Sequence, residues 1–312
     1  MNTLLIIDFY NLMHRAFHAY PKDFKTSKGV FTNAIYGFNL MFLNYIKKLN
    51  PTHIVIAFED DSTPTFRETM YTAYKKNRTW KTEKKEEAEV FFSQIPKSLE
   101  ILKAFNVKIL NTPGYEADDI VGSLCAKLPK ETKIIILSND FDLCQLISFN
   151  VRVLRPAKPP FIKEKLYDLK VFSEHFDFAP NLIPDYKGLR GDPSDNIKGV
   201  YGIGEKTAKS LIQAYGNIEG IYGNLSKIKS ARIKHLLEES AEEAFLSKKL
   251  AIIETGIGVS SNLVDYKFGD FDKERVLKIY KALEFTSLEK RFNDLFAKPV
   301  VESKNSDQIS LF

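Results

Sequence analysis

Cysteine, histidine and tryptophan are scarce in this 312-residue chain, which has two, five and one of them. Cys125 and Cys144 both sit inside apolar helical patterns. That excludes a disulfide framework, and buried free thiols in a reducing compartment are expected. His14 and His18 stand four apart with no thiol or further histidine at zinc spacing, so no zinc site is expected. Long apolar runs are missing too. Met1–Ile7 lacks a basic flank and is too short for a signal peptide. Ala34–Ile46 is broken by Gly37, Asn39 and Asn44, so no membrane span is expected and the chain reads as cytoplasmic. A strong net charge is also lacking, at +5 from 45 basic and 40 acidic residues. Acids gathered in one place would leave the remainder more basic, which suits an enzyme acting on a polyanion better than a purely electrostatic nucleic-acid binder. Hydrophobic content of 44% and charged content of 27% are those of a globular protein, long enough for one large domain or a domain with an appendage.

What the chain does have is acid, much of it at the ends of β-prone runs. Gly114-Tyr115-Glu116-Ala117-Asp118-Asp119 puts three carboxylates within four positions. There the break at Pro113-Gly114 hands over to an amphipathic helix carrying Ile120, Val121, Leu124 and Leu128. A single acid would be an ordinary helix N-terminus, favoured by the macrodipole. Three acids repel one another unless a cation sits among them, so the cluster reads as half of a hard-metal site. Leu4–Ile7 runs into Asp8, Ile54–Phe58 into Glu59, Asp60 and Asp61, and Ile134–Leu137 into Asp140 and Asp142. Continuous apolar runs of this kind are central parallel strands, and open α/β sheets place their sites beyond strand C-termini. Val107–Leu110 and Val151–Leu154 add two shorter strands. The spacing of Asp140 and Asp142 puts both on one side if strand geometry persists. The fold class is α/β, a doubly wound and mostly parallel sheet whose acids converge on one edge.

Residues 67–85 hold seven basic residues (Arg67, Lys75, Lys76, Arg78, Lys81, Lys84, Lys85) against two acidic ones, with Tyr71, Tyr74 and Trp80 interleaved. Cations for phosphates and aromatic faces for bases suggest a single-strand groove, with a solvated charged face as the alternative. Residues 86–105 are helical in pattern with a kink at Pro96, and 165–255 read as helical throughout. Gly191-Asp192-x-x-Asp195 supplies two acids three apart, close enough to face one cation. Gly202-Ile203-Gly204-Glu205-Lys206-Thr207 is a glycine hairpin opening a helix that stops at Gly216. Its amides and helix N-terminus suit a phosphate, and it reads as a helix-hairpin-helix gripping duplex backbone without sequence preference. The polar stretch Lys298–Asp307 leads to Gln308-Ile309-Ser310-Leu311-Phe312, which is either a peptide ligand for a partner groove or a frayed end. The expected organisation is an α/β domain over 1–164 with a basic arch at about 67–95, a helical region over 165–296 with the hairpin element at about 187–216, and a flexible tail over 297–312.

Gly-Tyr-Glu-Ala-Asp-Asp (114–119), Tyr74-Lys75 with Arg78, Gly191-Asp192-x-x-Asp195-Asn196 and Gly202–Thr207 together resemble motifs of the 5′-nuclease (flap endonuclease) superfamily. The nearest likenesses are the 5′-nuclease domain of bacterial DNA polymerase I and the stand-alone phage flap endonucleases. The resemblance runs from Leu4 to about Leu295. It implies metal-site carboxylates at Asp8, Asp60, Glu116, Asp118, Asp119, Asp140, Asp142, Asp192 and Asp195. The second-strand ligand stays open between Glu59, Asp60 and Asp61, with Asp60 favoured. Lys75 and Arg78 are implied to position and polarise the scissile phosphate, and Arg15, Tyr74, Lys187, Gly202, Ile203, Gly204 and Lys206 to hold DNA. The cofactors implied are two Mg2+ ions, for which Mn2+ can substitute, and K+ at the hairpin. The tail resembles the bacterial sliding-clamp-binding pentapeptide, which implies Gln308, Leu311 and Phe312 as clamp contacts and a higher local concentration at replication sites. No polymerase segment follows, so a dedicated nuclease is expected, acting as a monomer on DNA with 5′ flaps or 5′ ends.

The activity implied is two-metal phosphodiester hydrolysis, giving 5′→3′ exonuclease and flap endonuclease action in RNA-primer and flap removal during replication and repair. Two alternatives stand beside it. A related metal-dependent ribonuclease could use the same acidic strand ends, and the hairpin after Asp195 argues against it. A flap-binding protein that does not cut would have lost acids, and none is missing.

Overall fold

The run Leu4–Ile7 is buried on both faces, and it lies at the centre of the sheet. β1 (Thr3–Asp8) pairs in parallel with β2 (His53–Ala57) on one side and with β4 (Lys133–Leu137) on the other. β3 (Lys108–Leu110) extends the sheet beyond β2, and β5 (Val151–Arg155) extends it beyond β4. β6 (Lys165–Tyr167) closes the other edge antiparallel to β5, giving the order β3-β2-β1-β4-β5-β6. The computed structural model describes residues 2–59, 63–78, 84–157 and 163–296. Among the described residues no helix is long and apolar enough to cross a membrane.

β6 corrects the expectation of helix throughout 165–255. Tyr167 is buried against the sheet, and helix begins only after Asp168, whose side chain accepts from Val171 N at 2.8 Å as an N-cap. The kink expected at Pro96 is a full break. α4 (Lys85–Ser93) ends and α5 (Ile95–Ala104) begins at Gln94. The Gln94 side chain is spent elsewhere. Its Oε1 accepts from Ala34 N at 2.9 Å and its Nε2 donates to Asn33 Oδ1 at 2.8 Å, which caps the start of α2 (Asn33–Leu49).

Alternation along β1 sorts the helices into two layers. Leu5 and Ile7 face a core with Phe9 and Phe17 of α1 (Phe9–Ala19), Phe38 and Phe42 of α2, and Phe91 and Phe105. Leu4 and Ile6 face the opposite core. It holds Ile120 and Leu124 of α6 (Ala117–Lys127), Leu189 of α8 (Ile183–Arg190) and Leu211 of α9 (Glu205–Tyr215), while α7 (Leu169–Phe176) supplies Phe172. The chain then passes α10 (Ile218–Gly223), α11 (Ala231–Glu239) and α12 (Ala241–Ala251). Among the described residues the last two helices, α13 (Lys273–Ala282) and α14 (Thr286–Phe296), return to the first face, where Val276, Tyr280 and Phe292 join the core of α1 and α2.

Close approach of the segment after α12 to α6 depends on Gly122, where an added Cβ would collide with Ile253 Cγ2 and press on the Glu254 carbonyl. Gly122→Ala should lower unfolding free energy by about 1–3 kcal/mol in urea denaturation. Gly258→Ala, with open space around it, should stay within about 0.5 kcal/mol of wild type.

Candidate metal centre

β1 is in the middle and parallel to its neighbours, so its C-terminal residue lies beside theirs. Asp8 ends β1 and N-caps α1. Its Oδ1 accepts from Asn11 N at 3.2 Å and its Oδ2 from Ser138 Oγ at 2.8 Å. Asn11 Oδ1 in turn accepts from Asn139 N at 2.9 Å, tying the end of β4 to the start of α1. Asp140 and Asp142 lie beyond the end of β4, and a turn rather than strand alternation brings them together, since Asp142 N donates to Asp140 Oδ1 at 2.8 Å. Glu116 is the N-cap of α6, which delivers Asp118 and Asp119 in its first turn.

Asp119 departs from the expected ligand role. It is fully buried, and four donors use its two oxygens. Arg67 Nη1 and Nη2 each lie 2.7 Å away, Glu116 N at 3.0 Å and Glu254 N at 2.8 Å. No lone pair is left for a cation, so Asp119 is a structural residue that fixes Arg67. Arg67, on α3 (Phe66–Met70), also donates to the carbonyls of Leu250 at 2.9 Å and Ile252 at 2.6 Å.

The basic segment faces inward more than expected. Tyr74 is buried, its hydroxyl 3.3 Å from Glu116 Oε2 and 3.4 Å from Asp195 Oδ2, so its expected role in touching DNA gives way to one among the carboxylates. Tyr71 packs with Tyr74, Ile197 and Leu250 rather than offering a face to bases. Lys75 Nζ meets Glu116 Oε1 at 2.6 Å, and Arg78 pairs with Asp195. Trp80 and Lys81 lie outside the described residues, as do Asp60 and Asp61 and the tail with Gln308, Leu311 and Phe312. Glu59 is half-buried just past β2.

The far side of the site comes from α8 and the turn after it. Lys187 on α8 is buried and pairs with Asp142 and with Asp192 Oδ2, the latter at 2.5 Å. Lys187, expected to hold DNA, thus sits among the carboxylates. Gly191 and Gly199, both at positive φ, pack backbone to backbone and pin the turn carrying Asp192 and Asp195.

Asp118, Asp140 and Asp142 bring oxygens within 4.8 Å of one another, and so do Asp142, Asp192 and Asp195. Two trios sharing one carboxylate are an oxygen-only donor set, the kind that hard divalent cations take. Burial first, and then Asp140, raises Asp8 to about 6, and burial with Asp140 outweighs Lys187 to raise Asp142 to about 7. Burial, Asp140 and Asp8 push Asp118 up as well. Burial also opposes the charges of Lys75, Arg78 and Lys187, but Glu116, Asp195 and the Asp142–Asp192 pair respectively outweigh it and raise them. Eight carboxylates (Asp8, Glu116, Asp118, Asp119, Asp140, Asp142, Asp192, Asp195) therefore meet four cations (Arg67, Lys75, Arg78, Lys187). The balance left among the described residues is that of two divalent ions, so these side chains fit such a pair.

Two expected DNA contacts lie apart from the carboxylates. Arg15 is half-buried on α1, about 10 Å along the helix from Asp8. Lys206 is exposed in the first turn of α9, after a hairpin in which Gly202 has φ +81° and Ile203 is buried. Ser138 and Asn11 are residues whose roles the sequence left unassigned, and Arg67, counted there among cations for phosphates, is instead buried against Asp119. The capping box formed by Thr65 and Glu68 marks the start of the helix that carries Arg67 but not its partner.

Residues 3–177 match the family model of the 5′-3′ exonuclease N-terminal resolvase-like domain, and residues 178–274 match that of the 5′-3′ exonuclease C-terminal SAM fold. DNA polymerase I of Caldicellulosiruptor bescii is 41% identical over 292 residues, covering 92% of this chain and 33% of that protein. The chain thus spans about a third of the length of the polymerase relatives it matches. A 5′-3′ exonuclease of Aquifex aeolicus is 36% identical over 314 residues and is covered end to end. Bacteriophage T5 5′-exonuclease, solved with divalent zinc ions bound, superimposes with a TM-score of 0.67 at 23% identity over 95% of this chain and 99% of that one. The catalytic core of Rad2 in complex with a DNA substrate gives 0.62 at 13% identity, over 95% and 92%. At these identities the likeness to the solved structures is one of fold.

Two outcomes follow from the charges. Arg67→Ala strands Asp119 as a buried unpaired carboxylate and should cost about 3–5 kcal/mol in chemical denaturation, with Arg67→Lys recovering part of it. In metal-free protein, Asp8 and Asp142 keep their protons up to about 6 and about 7, whereas the unfolded chain releases them near pH 4. Stability should therefore fall as pH rises from about 4 to about 7 and stay low above it. Asp192, held below its ordinary range, acts only under about pH 4. Melting temperature without divalent ions should be lower at pH 8 than at pH 5, and Mg2+ should raise it at pH 8 far more than at pH 5.

Proposed function

The chain belongs to the 5′-3′ exonuclease family, and from that footing we propose that it hydrolyses DNA phosphodiester bonds as a structure-specific 5′→3′ exonuclease and flap endonuclease, with Mg2+ as its natural ion. The observation that carries this reading is the pair of carboxylate trios sharing Asp142, with Lys75 and Arg78 at their rim. Divalent ions held by Asp118, Asp140, Asp142, Asp192 and Asp195 would activate a water and neutralise charge on the scissile phosphate and leaving oxygen. Asp8 orients the end of β1 against Ser138 and adds negative charge beside Asp118 and Asp140. Glu116 fixes the Lys75 ammonium, and Tyr74 spaces Glu116 from Asp195.

Lys75 and Arg78 are tethered to Glu116 and Asp195. A phosphate entering beside the trios would take both as partners, Arg78 the more readily because its side chain is half exposed. Their charge would then polarise the phosphate where negative charge builds up. The duplex would be held at a distance from the cut by the hairpin, through the amides around Gly202 and Gly204, the α9 N-terminus and Lys206, a place that would also hold K+. Arg15 would contact the strand along α1. Gripping backbone in one place and cutting in another selects for structure over sequence. In a cell this activity would remove RNA primers and flaps, acting as a monomer. The segment with Gln308, Leu311 and Phe312 would tether it to a sliding clamp, a reading that rests on sequence alone.

A 5′-flap DNA labelled at its 5′ end tests the proposal. Short 5′ fragments should appear with Mg2+, vanish with chelator, and be reduced by at least about a hundredfold in Asp118→Ala. Lys75→Ala and Arg78→Ala should each lose about a hundredfold in turnover while retaining flap binding. Tight flap binding by the wild type without cutting in Mg2+ or Mn2+ would sink the enzymatic reading.

A further inference from the structure

The two carboxylate trios differ in one respect that bears on how they fill. Among the described residues, Asp118 and Asp140 form no ion pair, so the first trio is ion-paired only through the shared Asp142, with the Lys75 charge acting on Asp118 from further off. The second trio is already engaged. The buried ammonium of Lys187 lies between Asp142 and Asp192, at 2.5 Å from Asp192 Oδ2, and Arg78 holds Asp195. Lys187 stands on α8, whereas Asp192 and Asp195 stand on the turn that follows it and Asp142 opens a short 3-10 helix beyond β4. Its position joins the two halves of the site in the way a bound cation would.

We propose that Lys187 is a built-in cation competing with a divalent ion for the second trio, so that the two ions load in order. The inference rests on the metal reading given above. The first trio can take its ion on Asp118 and Asp140, which no ion pair holds, while Lys187 keeps Asp192. The second accepts one only when the ammonium gives up the oxygens of Asp142 and Asp192, because two cations cannot share one pair of carboxylates without strong repulsion. An ammonium on a flexible four-carbon stem can make that exchange, where a rigid forked guanidinium would be harder to remove. Without divalent ions the same ammonium offsets the repulsion between Asp142 and Asp192, while Arg78 screens Asp195.

Binding of Mn2+ to the metal-free full chain separates the possibilities. Free Mn2+ is counted by electron paramagnetic resonance, and affinities are taken from calorimetry, for wild type, Lys187→Met and Lys187→Gln. Wild type should bind one ion tightly and a second much more weakly. Removing the ammonium should narrow the ratio of the two dissociation constants by about tenfold or more. One ion in wild type and two in the variants would be the extreme of the same result. Circular dichroism and melting identify which variant keeps the fold, and Lys187→Gln decides where Lys187→Met does not. An unchanged ratio in a folded variant overturns the role of Lys187 and leaves the metal centre standing. Wild type that binds no divalent ion overturns both.

Discussion

The Arg67–Asp119 pair is the constraint on which the rest of the site depends. It is bidentate, wholly buried, and joins three parts of the chain that share no local sequence: α3, the N-terminus of α6 and the segment closing α12. A bidentate guanidinium–carboxylate pair fixes orientation as well as distance. Because Asp119 also accepts from Glu116 N, the pair sets the first turn of α6 and with it the direction of Asp118. Arg67 reaches Glu116 at 3.3 Å too, so the base of the basic segment and the acids it serves are held by one side chain.

Around that fixed point the site is built against its own electrostatics. Buried carboxylates that resist ionisation are a poor way to stabilise a fold and a good way to hold a multivalent cation. The chain tolerates them through partial compensation. Lys75, Arg78 and Lys187 neutralise some acids, and Ser138 and backbone amides satisfy others. On the proposed reading each of these pairs is exchangeable, in that a phosphate would take the cations of Lys75 and Arg78 and a metal ion would take the carboxylates of Lys187. The packed layers on either side of the sheet supply the stability that this arrangement costs locally.

The acids were legible because two rules act along the chain without reference to anything distant. Apolar runs such as Leu4–Ile7 and Ile134–Leu137 make buried parallel strands, and parallel strands bring their C-terminal residues to one edge. Asp8, Asp140 and Asp142 therefore announce a site before any contact is known. Asp119 was indistinguishable from Asp118 at that level, since both stand in one helical turn. What separates them is an arginine 52 residues away and two carbonyls 183 and 185 residues from that arginine, which no local pattern encodes. Tyr74 shows the same limit. Aromatics among lysines have the composition of a nucleic-acid groove, and only the packing of Tyr74 against Ile197 and Leu250 turns it inward. β6 was hidden by its brevity, as three residues ahead of an amphipathic helix carry too little alternation to register.

The return of α13 and α14 to the face first covered by α1 and α2 sets the order in which the molecule can be completed during synthesis. The core lining Leu5 and Ile7 includes Val276, Tyr280 and Phe292, and Ser27 in the loop before α2 hydrogen-bonds to Glu284 at 2.9 Å. Half of the central strand therefore lacks its full cover until α14 has left the ribosome. A nascent chain ending before α13 would carry the entire acidic site yet expose an aromatic face, the condition in which partly made proteins associate or recruit chaperones. Completion of the acidic site and completion of the fold are thus separate events in the life of the chain.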